Sequence, residues 1–280
     1  MRAEDFITTA REAIRMNEPR NPYAPPATPV ADRDELQEPS DSGRFVPFGR
    51  SLPVGRGPAW IGDAWRILRS QPGMWAAAMI LMVVAWIVLQ LIPLVSFFAQ
   101  LLVPFGYAAI ALAAAEQRRS GTFELKVLLG GFEKHAMPLL GVGLTTFLGG
   151  IVFLIVLAIF LGGDLVRAMA VGGTLDPDAF LSTRFWLAFL VGFVAMLPIA
   201  FATYLAPQLI VLHDQPAITA MKMSLIGCAK NILPGLVFLV CAFVMVFLSM
   251  IPLFLGLLIT MPILAITNYT VYRDIFVEDV

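Results

Sequence analysis

Long uncharged runs separated by short clusters of charge dominate the chain, and the run lengths set the predicted elements. No Asp, Glu, Lys or Arg lies between Arg69 and Glu116, nor between Lys230 and Arg273. A helix needs about 20 residues to cross a hydrocarbon core of roughly 30 Å, so each of these runs predicts two spans. The turns fall at prolines, in "QLIPLVS" around Pro93 and around Pro252. Two further runs, between His135 and Asp164 and between Arg184 and His213, predict one span each. None shows the alternation of a barrel strand, and helices satisfy every backbone group internally in lipid. Six transmembrane helices follow.

A similar pattern precedes each pair of spans. The stretches "AWIGDAWRILRSQPGMW", "TFELKVLLGGFEKHAMPLL" and "AITAMKMSLIGCAKNILPGL" each read as an amphipathic segment, a polar residue, a proline and an apolar run, with the prolines at Pro72, Pro138 and Pro234. Ile61, Ala64, Trp65 and Leu68 fall on one helical face of the first, and Leu125, Leu128, Leu129 and Phe132 on one face of the second. These segments are too short and too charged to cross, which predicts helices lying in the membrane interface. Each proline then suits the first turn of the following span, where its missing N–H costs nothing. The pairs Pro93 and Pro104, Pro198 and Pro207, and Pro252 and Pro262 punctuate the second spans, which run out into "AEQRR", "VLHDQ" and "NYTVYRD".

The predicted fold is therefore an all-α integral membrane protein of six transmembrane helices. They form three quasi-repeated units, each an interfacial amphipathic helix plus two spans. This membrane domain covers residues 58–276. Residues 1–57 form a tail, mostly disordered because it is too poor in apolar residues to bury a core. Residues 1–16 within it predict a short amphipathic helix through Phe6, Ala10, Ala13 and Ile14, with Met16 as an alternative start.

Composition moves the picture firmly to the membrane. The chain is 59% hydrophobic and 14% charged, against about half and about a quarter in soluble domains. A net charge of −1 offers nothing to nucleic acid, which needs clustered Lys and Arg. The first apolar run begins near Met74, so no cleavable signal peptide is expected. With the N-terminus inside, seventeen Lys and Arg lie on the cytoplasmic side and only Arg167 and Arg184 outside. That asymmetry predicts both termini in the cytoplasm. Residues 163–183 then form a small external cap.

Candidate chemistry is sparse. Cys228 and Cys241 follow no disulfide or metal pattern and read as small apolar packing residues. The spans carry no charged residue, which argues against an ion-coupled carrier. Gln90, Gln100, Tyr107, Thr145, Thr146, Tyr204, Thr260, Asn268 and Tyr269 are expected to hydrogen-bond between helices, with a polar cavity as the alternative. Gly141, Gly149 and Gly150 suit close helix packing.

Charges end each second span: Glu116, Arg118 and Arg119, then His213 and Asp214, then Arg273 and Asp274. They read either as a ring for a lipid phosphate or a partner, or as mutual ion pairs that terminate helices. Glu133, Lys134 and His135 stand side by side, yet no nucleophile or further His lies at a productive spacing. No catalytic residue, metal or cofactor is expected, and the stretch reads as an elbow into the bilayer. The candidate lipid-headgroup or interface charges are thus Arg118, Arg119, His135, Asp214 and Arg273. In the tail, Asn21, Pro22, Tyr23, Pro25 and Pro26 of "NPYAPP" form a candidate docking motif, extended by its prolines and anchored by Tyr23. A stiff linker is the simpler account.

The order "GRGPAWIGDAWRILRSQPGMW", "LIPLVSFFAQLLVPFGYAAIALAAAEQRRSG", "GGFEKHAMPLLGVG", "YLAPQLIVLHDQPAITAMKMS" and "YRDIF" resembles a family of uncharacterised six-span inner-membrane proteins of Proteobacteria, over residues 54–276. It is similar, more loosely, to the membrane domain attached to some glycerophosphodiester phosphodiesterases. That catalytic barrel has no counterpart in this sequence, so the resemblance implies topology and location but no hydrolase activity. The expected function is that of a non-enzymatic scaffold or lipid-interacting factor. Its partners would be membrane lipids and a cytoplasmic or membrane protein reached through the tail. The rival is a channel or transporter for a small neutral or amphiphilic solute.

Overall fold

The computed structural model describes residues 43–171, 182–251 and 253–278. The expected N-terminal helix, most of the predicted disorder, the "NPYAPP" motif, about half of the external cap and Pro252 lie outside them. The described chain is overwhelmingly helical. Helix α1 (Arg56–Ser70) leads into α2 (Pro72–Gln90), and α3 (Pro93–Phe98) passes through a 3₁₀ turn at Ala99–Leu102 into α4 (Val103–Ser120). Another 3₁₀ turn (Leu125–Leu129) and the single turn α5 (Gly130–Lys134) precede the long α6 (Ala136–Val171). Then come α7 (Thr183–Tyr204), α8 (Ala206–His213), α9 (Ala217–Lys230), α10 (Ile232–Met250) and α11 (Leu257–Phe276).

Five segments are long and apolar enough to cross a membrane: Pro72–Gln90, Val95–Ser120, Ala136–Phe160, Thr183–His213 and Ile232–Met250. Helix α11 is not among them, because its last two turns carry Asn268, Tyr269, Thr270, Tyr272, Arg273 and Asp274. Burial divides these helices sharply. Only Pro234 and Ser249 are buried along α10, whereas α11 is buried almost continuously from Ile266 to Phe276. An all-round apolar helix in lipid needs no cover; a polar one needs protein around it. Helix α11 finds that cover against α1, α4 and α10, and α4 also packs on α8.

The three lead-in segments form as the prolines predict, but their buried faces differ from the apolar stripes read in the sequence. In α1 the inward residues are Gly57, Trp60, Ala64 and Leu68, while Trp65 is 44% exposed. Gly57 explains the choice. A Cβ there would lie 2.5 Å from the Pro234 carbonyl oxygen and 2.8 Å from the Phe238 amide nitrogen, so α1 rests its backbone directly on α10. The neighbouring stripe of Ile61 and Trp65 is thereby turned aside. In the middle segment Leu129 and Phe132 are exposed and the buried positions are Leu128 and Gly131. Leu125, Leu128 and Gly131 recur every three residues, the period of the 3₁₀ turn that forms instead of an α-helix. The third, α9, buries Ala220, Met223, Ser224 and Gly227 at regular helical spacing.

Prolines and small residues shape the second spans. Helix α3 starts at Pro93 after an extended Ile92, and α4 carries a proline in its first turn. The break between them admits α6 closely: a Cβ on Gly143 would collide with the Leu101 carbonyl. The break at Leu205 has its own partner, since Leu205 N donates to Ser224 Oγ at 3.0 Å and Ser224 Oγ donates to the Phe201 carbonyl at 2.6 Å. Gly149 lies close against Ile199 of α7, so its smallness serves packing within this chain.

Residues 43–55 depart from the expected tail. Strand β1 (Arg44–Phe45) pairs antiparallel with β2 (Val277–Glu278), Arg44 opposite Glu278 and Phe45 opposite Val277. Val46 N donates to the Phe276 carbonyl at 2.8 Å and Arg50 N to that of Ile275 at 2.9 Å. The last carbonyls of a helix have no partners within it, and this strap supplies them for α11. Its hold depends on backbone groups, which hydropathy does not register.

Candidate functional site

A cleft of about 460 Å³ opens where α1, the end of α4, the strap and the end of α11 meet. Five arginines line it, Arg50, Arg56, Arg66, Arg118 and Arg273, against two carboxylates, Asp63 and Asp274. Asp274 is the hub. Its Oδ2 accepts from Arg56 Nε at 2.6 Å and from Trp60 Nε1 at 2.7 Å, and its Oδ1 from Arg50 Nη2 at 3.2 Å. Arg50 Nε also donates to the Asp274 carbonyl at 2.7 Å. The hydrogen bond to Asp274 is the main reason the Arg56 guanidinium holds its proton even above its ordinary range. Asp63 accepts from Arg66 and pairs with Arg56 at 3.5 Å. A guanidinium offers five N–H donors in a planar fork, so these contacts use only part of the donor capacity of Arg50, Arg56 and Arg66.

Beside the cleft, Gln117 is almost fully buried and ties three elements together. It accepts from Trp75 Nε1 at 2.7 Å and donates to the Ile67 carbonyl at 3.0 Å and to Ser70 Oγ at 2.6 Å. Thr270 Oγ1 donates to the Trp60 carbonyl at 3.0 Å. A buried polar group whose bonds are complete fixes a unique arrangement. The arginines are therefore presented by a rigid frame of two spans and one lead-in helix.

Three elbows join the lead-in segments to the spans, at Gln71, His135 and Asn231. All three depart from helical backbone, with φ/ψ of −142°/61°, −117°/17° and −120°/30°. Each side chain bonds to a residue outside its own lead-in segment. Gln71 Oε1 accepts from Phe123 N at 3.0 Å. His135 Nε2 lies 2.8 Å from Asp214 Oδ1. Asn231 Oδ1 accepts from Leu52 N at 2.9 Å while its Nδ2 donates to the Arg50 carbonyl at 2.8 Å. At the middle elbow Lys134 Nζ also lies 2.8 Å from Asp214. The bond from Lys134, then that from His135, holds the Asp214 carboxyl below its ordinary range.

The structure thus sorts the five charges singled out from sequence. Arg118 and Arg273 enter the cleft together. His135 and Asp214 meet at the middle elbow in a hydrogen bond, with Asp214 in the left-handed cap of α8. Arg119 turns back to Glu116 in its own helix, at 2.7 Å. His213 parts from Asp214, stacking on Phe45 with ring centroids 4.0 Å apart and bonding to the Tyr272 hydroxyl. The charged clusters at the span ends therefore do not form one ring; most close locally and two arginines join the cleft.

Arg50, Arg56, Asp63 and Arg66 escaped the sequence reading as site residues. A signal existed: Arg56, Asp63, Arg66 and Ser70 share one stripe of α1. Of the polar residues inside the spans, Asn268 and Thr260 do bond between helices, to Gln208 and Ser249. Thr145 and Thr146 instead donate to the Gly141 and Val142 carbonyls of their own helix, the usual recourse of a helical hydroxyl. Gln208, unremarked in sequence, is fully buried with its Oε1 lacking a partner. Both cysteines are free thiols, and burial pushes that of Cys228 up to about 12. Among the described residues no group of three or more His, Cys, Asp or Glu is placed to hold a metal ion.

Over 184 residues the chain is 28% identical to a probable inner membrane protein of Burkholderia thailandensis, covering 62% of this chain and 67% of that protein. No family model matches the chain, and no solved structure matches it either.

Proposed function

We propose that this chain is a non-enzymatic, lipid-interacting protein of the bacterial inner membrane that receives anionic groups in its arginine cleft. The observation carrying the reading is the cleft itself, five arginines against two aspartates at one end of the helix bundle. Such a gathering of guanidinium groups beside apolar helices suits phosphate at the level of lipid headgroups, where each basic residue contributes about 1 kcal/mol of attraction to an anionic surface. The name of the Burkholderia relative supports the inner membrane as the location.

In this reading α11 is a sixth span, sheltered by protein instead of exposed to lipid. The helices form three units of lead-in segment and two spans. The matching elbows support this arrangement, because Gln71, His135 and Asn231 each stand between a lead-in segment and a span. Both termini lie in the cytoplasm, consistent with the positive charge on that side. Asn21 to Pro26 dock a protein partner through Tyr23; equal recovery of partners by wild type and Tyr23→Ala in a pull-down would reject that role.

Native mass spectrometry of the protein released from its membrane tests the lipid reading. Wild type should retain anionic lipids, and Arg118→Gln with Arg273→Gln should lose them. An identical lipid complement on both would overturn it. An alternative reading, a path for a small neutral solute, rests on the unpartnered Oε1 of buried Gln208. It predicts solute efflux from proteoliposomes that Gln208→Leu abolishes.

A further inference from the structure

We infer that the three lead-in segments each seat an outward stripe in the headgroup boundary of the bilayer that the chain itself spans. This contact surface is separate from the arginine cleft and does not depend on what the cleft binds. Each segment has one face closed against protein, around Ala64 in α1, Leu128 in the middle segment and Ser224 in α9. Away from that face bulky apolar residues stay uncovered, with a basic residue on the same stripe. Trp65 stands one turn before Arg69 in α1, and Ile218 and Ile226 flank Lys222 in α9, all of them exposed. Residues spaced in this way share one side of an α-helix. In the middle segment Lys126, Leu129 and Phe132 are the exposed set, at the shorter spacing that a 3₁₀ turn stacks on one side. Lys126 shares its charge with Glu124 at 2.8 Å, so Leu129 and Phe132 carry the contact there.

The elbows decide what covers these stripes. A single non-helical residue, Gln71, His135 or Asn231, joins each lead-in to a helix long and apolar enough to cross a membrane. A lead-in whose next helix turn belongs to a span cannot leave the bilayer surface. Met137 and Leu233, just past the second and third elbows, are also exposed, so the uncovered apolar surface there runs on into the span. Each elbow bonds to the chain just ahead of the next lead-in, Gln71 to Phe123, His135 to Asp214 and Asn231 to Leu52. The three segments therefore gather at one end of the bundle and meet one leaflet.

Bulky apolar side chains with basic neighbours are the composition of a helix that lies in the interface, its apolar side sunk about 5–10 Å into the boundary of headgroups and acyl chains. A basic side chain on such a stripe lays its stem along the apolar surface and keeps its charge among the headgroups. On α1 this also sets a height for the cleft. Trp65 adjoins Arg66, a cleft residue, and a helix is about 10–12 Å across with its side chains. With Trp65 at the acyl boundary, Arg66 stands at the level of the headgroups.

The test uses the full chain, carrying Cys228→Ala and Cys241→Ala, reconstituted in vesicles of phosphatidylcholine and phosphatidylglycerol. A nitroxide is attached in turn at Trp65→Cys, Phe132→Cys and Ile226→Cys, and its depth is calibrated on spin-labelled lipids. All three labels should collide more often with oxygen than with a water-soluble nickel chelate, at a depth of about 5–10 Å. A label that favours the nickel chelate at any of the three positions would overturn the inference of three seated segments. Spin–spin broadening that persists on dilution with lipid would mean that a second copy of the chain covers the stripe, and would overturn the lipid assignment. Quenching by dibrominated lipids needs no label: Trp65→Phe, with both cysteines kept, should remove tryptophan emission that shallow bromines quench. Emission quenched equally in wild type and Trp65→Phe would overturn the inference for α1. Labels found in water would leave lipid retention by the cleft, read by native mass spectrometry, untouched.

Discussion

Two aspartates near helix ends sit in very different surroundings. Asp274 is 11% exposed and accepts side-chain bonds from Arg50, Arg56 and Trp60, residues more than 200 positions away in the chain. Asp214 is 65% exposed and meets Lys134, itself 70% exposed, and the largely buried His135. Judged by sequence, the partners of Asp214 have the greater chemical promise, because Glu133, Lys134 and His135 stand side by side. The structure gives Asp214 the modest role of an exposed ion pair, generally worth up to about 1 kcal/mol. Asp274 instead organises the cleft, because burial and several donors make an ion pair hard to break.

Breaking that hub is the strongest challenge to the comparison. Asp274→Ala should lower stability by about 2–3 kcal/mol, below the range of about 3–5 for breaking a fully buried pair because Arg50 and Arg56 are 34% and 36% exposed. Reversible denaturation in detergent would measure it. A loss no larger than that of Asp214→Ala would mean the two aspartates are equivalent after all.

Asn231→Ala comes next. It removes the bonds to Leu52, Arg50 and Gly227 from a residue 3% exposed, and should cost about 2 kcal/mol. It should also release the strap, raising protease cleavage near Arg50. His135→Ala at the matching elbow should cost less than about 1 kcal/mol. If His135→Ala alone abolished a cellular function at normal protein levels, the elbow account of that residue would be insufficient. Gln117→Leu should cost about 1–2 kcal/mol by leaving Trp75 Nε1 without its acceptor.

The smallest effect concerns pH. The Asp214 carboxyl is held below its ordinary range in the folded state, so its contribution is present above the unfolded value near 3.9 and is lost as pH falls through the folded value. Because the group is largely exposed, that contribution is screened and should fade with added salt. Comparing Asp214→Asn with wild type between about pH 5 and pH 2 should show the difference closing as acid is added. A difference that persisted at the acid end, or ignored salt, would argue for a buried role.

Sequence alone was enough to place the chain in a membrane and to find the elbows, and of the six spans it predicted five recur as helices long and apolar enough to cross. Run length, proline position and charge are local quantities, and the bilayer turns them directly into helices. It also pointed to Arg118 and Arg273, because span ends are where charge must collect. Tertiary structure decided the rest. It chose the inward face of α1 through the contact of Gly57 with α10, replaced an expected helix by a 3₁₀ turn at Leu125–Leu129, and drew residues 43–55 onto the end of α11. It alone joined Arg50, Arg56, Asp63 and Arg66 to Asp274. Those choices depend on close approach, on unfilled backbone acceptors and on partners more than 200 residues apart, none of which leaves a periodic mark in the sequence.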